Sequence, residues 1–159
     1  MDTSDYLIYT EKGKYTPRSN MKYVERENVA LVIRYKDQYL FLKWNEVDYS
    51  ASLVTGGIDK NETREEAVRR EIIEETGYYD IKSISDINAI NISSFFVEHK
   101  NENRKATYYP YLVELKSLKR NKVSKKEDKE HTCIWCKEEN LELLELFDNH
   151  RYMLNKSRT

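Results

Sequence analysis

The chain has 159 residues, of which 39% are hydrophobic and 35% are charged, and its formal net charge is −1. This length and apolar content suit one globular domain over residues 1–159, and the near-neutral charge argues against long-range steering of a charged partner. No stretch is long and apolar enough for a membrane span, and residues 1–15 lack a signal-peptide pattern, so a cytoplasmic protein without a membrane partner is expected.

The first predicted elements are β structure. Residues 6–18 predict a short hairpin whose turn lies at residues 11–13. Two apolar runs rich in β-branched and aromatic residues follow, at residues 29–35 and 39–44. Because only three residues separate them, they are predicted to pair as antiparallel strands.

A central helix is predicted over residues 64–76. Thr63 and Glu66 have the spacing of a capping box at its start. Gly77 suits the left-handed residue that commonly follows a helix end.

The second half of the chain predicts strands and one more helix. Residues 81–97, 107–115 and 131–136 are predicted strands, and a lysine-rich connector occupies residues 116–129. A C-terminal helix is predicted because its apolar residues recur near a 3.6-residue period, at Leu143, Leu144, Phe147 and Leu154. Strands around a central helix, with another helix at the end, indicate an α/β sandwich.

The most informative stretch, residues 56–78, reads GGIDKNETREEAVRREIIEETGY. It contains three of the four glycines in the chain. Four glutamates and one arginine stand at fixed offsets between the glycines, and the fixed positions are Gly56, Glu62, Arg70, Glu71, Glu74, Glu75 and Gly77.

Glu71, Glu74 and Glu75 are three and four residues apart, so a helix places them on one face with Cβ atoms about 5–6 Å apart. Three like charges so close repel one another, whereas a divalent cation such as Mg²⁺ prefers carboxylate oxygens. A solvated helix face is the commoner explanation of such a spacing. The surrounding glycines, arginine and capping box favour a metal site here.

The stretch resembles the Nudix box, G-x5-E-x7-R-E-U-x-E-E-x-G-U, in which U is a bulky apolar residue. Every fixed position is met, and Ile72 fills the first U. Tyr78 stands at the last U, where an aliphatic residue is usual, and residues 51–55 lack the Pro-Gly that commonly precedes the box. The resemblance implies a Nudix-type α/β/α sandwich with a mixed sheet and a catalytic loop-helix.

The resemblance also implies the reaction: Mg²⁺-dependent hydrolysis of the pyrophosphate bond in a nucleoside diphosphate linked to another moiety, with Mn²⁺ able to substitute. The implied metal ligands are the Gly56 carbonyl, Glu71, Glu74 and Glu75. The implied general base is Glu71 or a glutamate on the later loop, either Glu127 or Glu130. Arg70 is expected to orient Glu71 through a charge-assisted hydrogen bond.

Two other functions stay open at this point. One is a Nudix sensor domain that binds a nucleotide or RNA without turnover, and the other is a prenyl diphosphate isomerase. The expected partner is a small-molecule nucleotide, while an RNA end is not indicated by any motif. Members of the family are often dimers, so a homodimer is one alternative.

Weaker signals favour structural roles. Cys133 and Cys136 form a lone CxxC pair within a strand, where residues three apart face opposite sides, so zinc binding is not expected. His131 follows the lysine-rich connector and could lie near the site, but a single histidine beside a strand is more often structural. Core packing, with nucleobase stacking as the alternative, is predicted for Phe95, Phe96, Tyr108, Tyr109 and Tyr111.

Overall fold

The structure is a computed structural model that describes residues 5–45 and 51–159, except the side chains of residues 127–129. Its strands are β1 (Tyr6–Thr10), β2 (Tyr23–Tyr35), β3 (Gln38–Trp44), β4 (Val54–Gly57), β5 (Ile81–Asp86), β6 (Ile90–Val97), β7 (Glu102–Leu115) and β8 (His131–Lys137). Its α-helices are α1 (Arg64–Thr76), α2 (Lys125–Glu130) and α3 (Asp148–Ser157).

The strands form one mixed sheet in the order β1-β6-β7-β2-β3-β8, with β4 paired to β2 and β5 paired to β7. The β2–β7 and β1–β6 pairs are parallel, and the remaining pairs are antiparallel. One edge of β2 is occupied by β7 along residues 23–34, so β3 and β4 share its other edge. The segment that enters β4 lies beside the end of β3, where Ser52 pairs with Leu42 and accepts a hydrogen bond from the Trp44 indole.

Two apolar clusters cover the two faces of the sheet. In β2, Val29 and Leu31 pack in the cluster that includes α1, whereas Ala30 and Val32 pack in the cluster that includes α3. The alternation follows the period of two in a strand. Because both faces are covered, this run of β2 is apolar throughout, and the predicted α/β sandwich is confirmed.

Several local predictions are confirmed. The predicted antiparallel pair is β2–β3, although β2 begins earlier, at Tyr23. Cys133 and Cys136 form no disulfide with each other and pack in opposite clusters, as expected for residues three apart in a strand.

The predicted N-terminal hairpin is wrong. β1 pairs in parallel with β6, more than eighty residues later in the chain, and Gly13–Tyr15 form a short 3-10 turn. The apolar pattern of β1 indicated a strand correctly, but a local pattern carries no information about a distant partner.

The strand predicted over residues 81–97 is divided into β5 and β6. A turn separates them, in which Asn88 adopts φ of 56° and donates its backbone N–H to Asp86 Oδ1. Asn tolerates this left-handed conformation better than most residues.

The C-terminal helix begins later than its apolar period suggested. Glu138–Leu143 form a 3-10 turn, α3 starts at Asp148, and the Leu143 side chain is 83% exposed. Within the residues described, no helix has both the length and the apolar character that crossing a membrane requires.

Candidate active site

Helix α1 is fixed at both ends by the residues predicted to cap it. The Thr63 hydroxyl accepts a hydrogen bond from the Glu66 backbone N–H at 3.1 Å. Gly77 has φ of 79° and donates its N–H to the Ile73 carbonyl at 2.9 Å. These caps satisfy backbone groups that a helix end leaves without partners.

The acidic face of α1 runs from the protein interior to the surface. Val68 and Ile72 are fully buried against the sheet, and Glu71 is 6% exposed beside them. The side chain of Glu75 is 17% exposed, and that of Glu74 is 53% exposed. The three carboxylates therefore border the core instead of forming a fully solvated face.

Glu71 lies directly on the backbone of β4. A Cβ atom added to Gly56 would lie 1.9 Å from Glu71 Cδ, which is far inside van der Waals contact. The same addition at Gly57 would meet nothing closer than Asn28 Oδ1 at 3.8 Å. A glycine at position 56 is therefore required by the close approach of the Glu71 carboxylate.

Arg70 joins the loop before α1 to the acidic face. Its Nε and Nη2 donate to the two oxygens of Glu62, both at 2.8 Å, and Nη2 also donates to the Gly57 carbonyl at 2.8 Å. Its Nη1 donates to Glu71 at 2.6 Å and to Glu74 at 3.3 Å. The predicted Arg70–Glu71 hydrogen bond is present in the structure, within this wider network.

Arg70 and burial shift the acidity of two carboxyl groups in opposite directions. The hydrogen bonds from Arg70 hold the pKa of Glu62 at about 2. Burial raises the pKa of Glu71 to about 7, against the lowering effect of Arg70 and with a smaller contribution from Glu75 and Glu74. A cation near Glu71 would favour its charged form, because an opposite charge stabilises the carboxylate.

His131 belongs to this site, although the sequence favoured a structural role for it. Its Nε2 donates to Glu75 Oε2 at 2.7 Å, and the residue is 4% exposed. The Trp44 ring meets the His131 ring edge-on, with centroids 4.9 Å apart. The position of His131 after the connector was the one signal in the sequence that pointed to this contact.

The later glutamates are placed differently. Glu130 ends α2, its side chain is exposed, and its carbonyl accepts a hydrogen bond from the Asn45 N–H at 3.0 Å. It precedes His131 directly, so its backbone lies beside the acidic face. The side chain of Glu127 falls outside the described residues.

The carboxylates fit a divalent cation by their chemistry and by their place on one helix face, although their side chains are turned to other partners. In the described part of the chain, no three His, Cys, Asp or Glu side chains are arranged so that they could hold a metal ion. Glu71 and Glu74 accept hydrogen bonds from Arg70, and Glu75 accepts one from His131. They nevertheless supply oxygen donors on one helix face, against a strand backbone that only glycine leaves open, which suits a hard cation such as Mg²⁺.

A cavity of about 730 Å³ lies between the sheet and the first turn of α3. We call it the aromatic cavity, because its lining includes Trp44, Phe95, Phe96, Tyr108, Phe147 and His150. Two of its lining residues connect it to the acidic face of α1: Thr55 immediately precedes Gly56, and Trp44 contacts His131. Its volume is within the range of small-molecule sites, about 300–1,000 Å³.

The sequence profile of the NUDIX domain matches residues 22–156. A search of curated proteins found no relative that matches this chain.

Three solved structures illustrate the shared fold. The E. coli dihydroneopterin triphosphate pyrophosphohydrolase has a TM-score of 0.65 and 18% identity, over 85% of this chain and 97% of that one. A MutT NUDIX hydrolase from Burkholderia pseudomallei has a TM-score of 0.60 and 21% identity, over 84% and 98%. The NUDIX domain of Shewanella oneidensis NrtR, complexed with ADP ribose, has a TM-score of 0.63 and 14% identity, over 85% and 87%.

These comparisons agree with the box and with the architecture. At such low identities the solved structures establish the fold, whereas the profile covers most of the chain and establishes the family. The chain therefore belongs to the Nudix family of hydrolases, enzymes that act on pyrophosphate bonds and generally use divalent metal ions.

Proposed function

We propose that the protein is a Mg²⁺-dependent hydrolase that cleaves the pyrophosphate bond of a nucleoside diphosphate linked to another moiety, with Mn²⁺ able to substitute. The contact between the Glu71 carboxylate and the Gly56 backbone carries this proposal. It supports a site in which a buried carboxylate lies against a glycine backbone, on the helix face that also carries Glu74 and Glu75, with every fixed residue of the box present.

The Gly56 carbonyl and the carboxylates of Glu71, Glu74 and Glu75 would hold the cation. When bound, Mg²⁺ supplies charge neutralisation for the pyrophosphate and lowers the pKa of a coordinated water. Arg70 holds Glu71 to the loop, and His131 holds Glu75. These two hydrogen bonds would limit the movement of the carboxylates.

The water that attacks phosphorus must lose a proton while the bridging phosphate oxygen leaves. Glu71 is our first choice of base, because it is the buried carboxylate of the box and Arg70 holds it in place by a hydrogen bond of 2.6 Å. Glu130 and Glu127 are the alternatives on the later loop. The exposed side chain of Glu130 would have to turn towards the acidic face to act.

The organic half of the substrate would occupy the aromatic cavity. Aromatic side chains stack on nucleobases whatever the base, at about 1–3 kcal/mol for each stacked base. Trp44 and Thr55 join this cavity to the acidic face, so a single ligand could reach both. One structure with this fold, the NrtR NUDIX domain, holds ADP ribose, a nucleoside diphosphate linked to a sugar.

A sensor domain without turnover is the second candidate. It is favoured by one observation: among the side chains described, no three acidic groups are arranged as a metal site, and Glu71 and Glu75 accept hydrogen bonds from Arg70 and His131 instead. It is opposed by the complete set of box residues.

A substrate panel tests the hydrolase proposal. The wild type and Glu75→Gln would be incubated with Mg²⁺ and nucleoside triphosphates, nucleotide sugars, dinucleoside polyphosphates or a prenyl diphosphate, and the products separated by ion-exchange chromatography. Wild-type release of phosphorylated products that Glu75→Gln loses supports hydrolysis. Glu65→Gln is the matched control, because Glu65 lies on the same helix and pairs only at the surface with Arg69.

Other outcomes would identify the rivals. Nucleotide binding with no product from any substrate would favour the sensor. Conversion of the prenyl diphosphate to an isomer would favour the isomerase.

A further inference from the structure

His150 lies in the first turn of α3 with both ring nitrogens in defined roles. Its Nδ1 accepts a hydrogen bond from the Leu53 backbone N–H at 3.1 Å. A nitrogen that accepts cannot carry a proton, so the ring proton of neutral His150 is on Nε2. The protein thus presents Nε2–H as a hydrogen-bond donor.

This donor is held in the cavity but is not used by the protein. His150 is 8% exposed and lines the aromatic cavity. Among the residues described, none accepts a hydrogen bond from His150 Nε2. Burial lowers the pKa of His150 to about 4, so the ring remains neutral at neutral pH and keeps this tautomer.

The adjacent Asn149 has its amide hydrogens committed. Its Nδ2 donates to Asn91 Oδ1 at 3.2 Å and to Ser93 Oγ at 3.0 Å. Asn91 is itself oriented by a hydrogen bond from its amide to the Leu7 carbonyl at 3.3 Å. This network fixes the wall of the cavity next to His150 and leaves the Asn149 amide hydrogens unable to serve a ligand without breaking it, while Asn149 Oδ1 is buried and accepts no hydrogen bond among the residues described.

The charge of the lining restricts what the cavity accepts. Glu11 and Glu98 line it, and none of the described lining residues is Lys or Arg. A phosphate group inside the cavity would face the carboxylates of Glu11 and Glu98 without a lining cation to offset their charge, so it would be repelled. An uncharged heterocycle with N–H donors and ring acceptors suits the two carboxylates and the His150 donor together.

We propose that His150 determines substrate specificity by donating its Nε2–H to an acceptor atom, a ring nitrogen or a carbonyl oxygen, of a nucleobase held in the aromatic cavity. The inference rests on the proposed function only in taking the ligand to be a nucleotide. The acidic face of α1 would then bind the phosphates, while His150 on α3 recognises the base.

The test measures binding without metal, so that it is independent of turnover. The four common nucleoside 5′-monophosphates would be titrated by calorimetry into the wild type and His150→Asn in EDTA. Asparagine keeps an acceptor near the position of Nδ1 for the Leu53 N–H but has no group that reaches the position of Nε2. We expect the best-bound nucleotide to bind about tenfold more weakly to His150→Asn, since a lost hydrogen bond costs about that factor.

Two controls distinguish a loss of base recognition by His150 from damage to the fold. His150→Gln restores an amide near the position of Nε2, so it should bind more tightly than His150→Asn even if it is less stable. In the wild type, ¹⁵N NMR should show His150 protonated on Nε2, with that resonance shifting when the nucleotide is added. The NMR measurement keeps the test valid if a variant does not fold.

The outcomes distinguish this inference from the proposed hydrolase activity. Equal binding by the wild type and His150→Asn, no shift of the Nε2 resonance, or no binding of any nucleotide would overturn the role of His150. Hydrolysis with an unchanged KM in His150→Asn would overturn it while leaving the hydrolase intact. Nucleotide binding that depends on His150, in a protein that hydrolyses no substrate, would support the role of His150 and contradict the proposed hydrolase activity.

Discussion

At the scale of single residues, Arg70 is the side chain on which the acidic face depends most. Its planar guanidinium reaches Glu62, the Gly57 carbonyl and Glu71 at the same time. A lysine ammonium is a point charge and cannot reproduce this fork. The contacts explain why a box of glutamates contains one arginine at a fixed offset.

Arg70→Lys should therefore lower kcat by roughly tenfold or more, because Glu71 would lose the partner that positions it. The measurement is steady-state kinetics at saturating Mg²⁺, on the best substrate from the panel. Arg69→Lys is the control, since Arg69 pairs only with the exposed Glu65. Equal kcat values for the two variants would show that Arg70 does not position the site.

His131 is the second residue whose role depends on a single contact. His131→Phe keeps an aromatic ring beside Trp44 but removes the donor to Glu75, so the Mg²⁺ concentration for half-maximal activity should rise about tenfold. A Mn²⁺ titration, with the free Mn²⁺ measured by electron paramagnetic resonance, gives the metal affinity of each protein independently of catalysis. His131→Gln, which keeps a donor, should restore part of the loss, and failure of both variants to alter metal affinity would contradict the role.

At the scale of elements, the packing of α1 on β4 makes the two neighbouring glycines unequal. Gly56→Ala would drive a methyl group into the Glu71 carboxylate, whereas Gly57→Ala has space on every side. We expect Gly56→Ala to lose activity by at least tenfold and Gly57→Ala to remain close to wild type. Enzyme kinetics and thermal melting of both variants check this. An equal loss of activity in the two variants would mean that any side chain at this end of β4 is harmful, and that the contact with Glu71 is not the cause.

The elements also show what a sequence can predict. The caps of α1 depend on Thr63 and Gly77, which are close in sequence to the helix they terminate, and both were predicted correctly; Glu66 contributes its backbone N–H to the Thr63 cap. By contrast, β1 pairs with a strand that lies more than eighty residues later in the chain, so the hairpin predicted from the local pattern is wrong. Local hydrogen bonds leave a local pattern in the sequence, and long-range pairing does not.

The candidate site divides in the same way. The box identified the acidic face because its residues lie on one loop and one helix. The contact of His131 with Glu75 joins residues 56 positions apart, and the sequence indicated only that His131 could lie near the site, not that it would contact Glu75. The steric demand at Gly56 also requires the packed structure, since spacing alone does not show which glycine meets a carboxylate.

At the scale of the whole molecule, the sheet separates two chemically different regions. The acidic face lies on the α1 side, and the aromatic cavity lies at the first turn of α3. Among the residues that the structure describes, they meet where β3 and β4 share one edge of β2, because Trp44 and Thr55 lie there. A nucleotide spanning both regions would have to pass this junction, so the fold itself sets the distance between phosphate chemistry and base recognition.

The hydrogen bond between His150 and Leu53 ties α3 to the chain that enters β4, and the burial of the His150 ring makes the stability of the molecule depend on pH. The pKa of His150 falls from 6.5 in the unfolded chain to about 4 in the folded protein, because burial disfavours the charged ring. Between these values the unfolded state binds more protons, so the stabilisation is complete above pH 6.5 and is lost as the pH falls towards 4. Between about pH 8 and pH 5, the free energy of unfolding of the wild type should fall by about 2 kcal/mol more than that of His150→Asn, which has no group that titrates at this position. Urea unfolding of both proteins in EDTA at the two pH values measures this difference, and parallel losses would show that His150 is already protonated or exposed in the folded state.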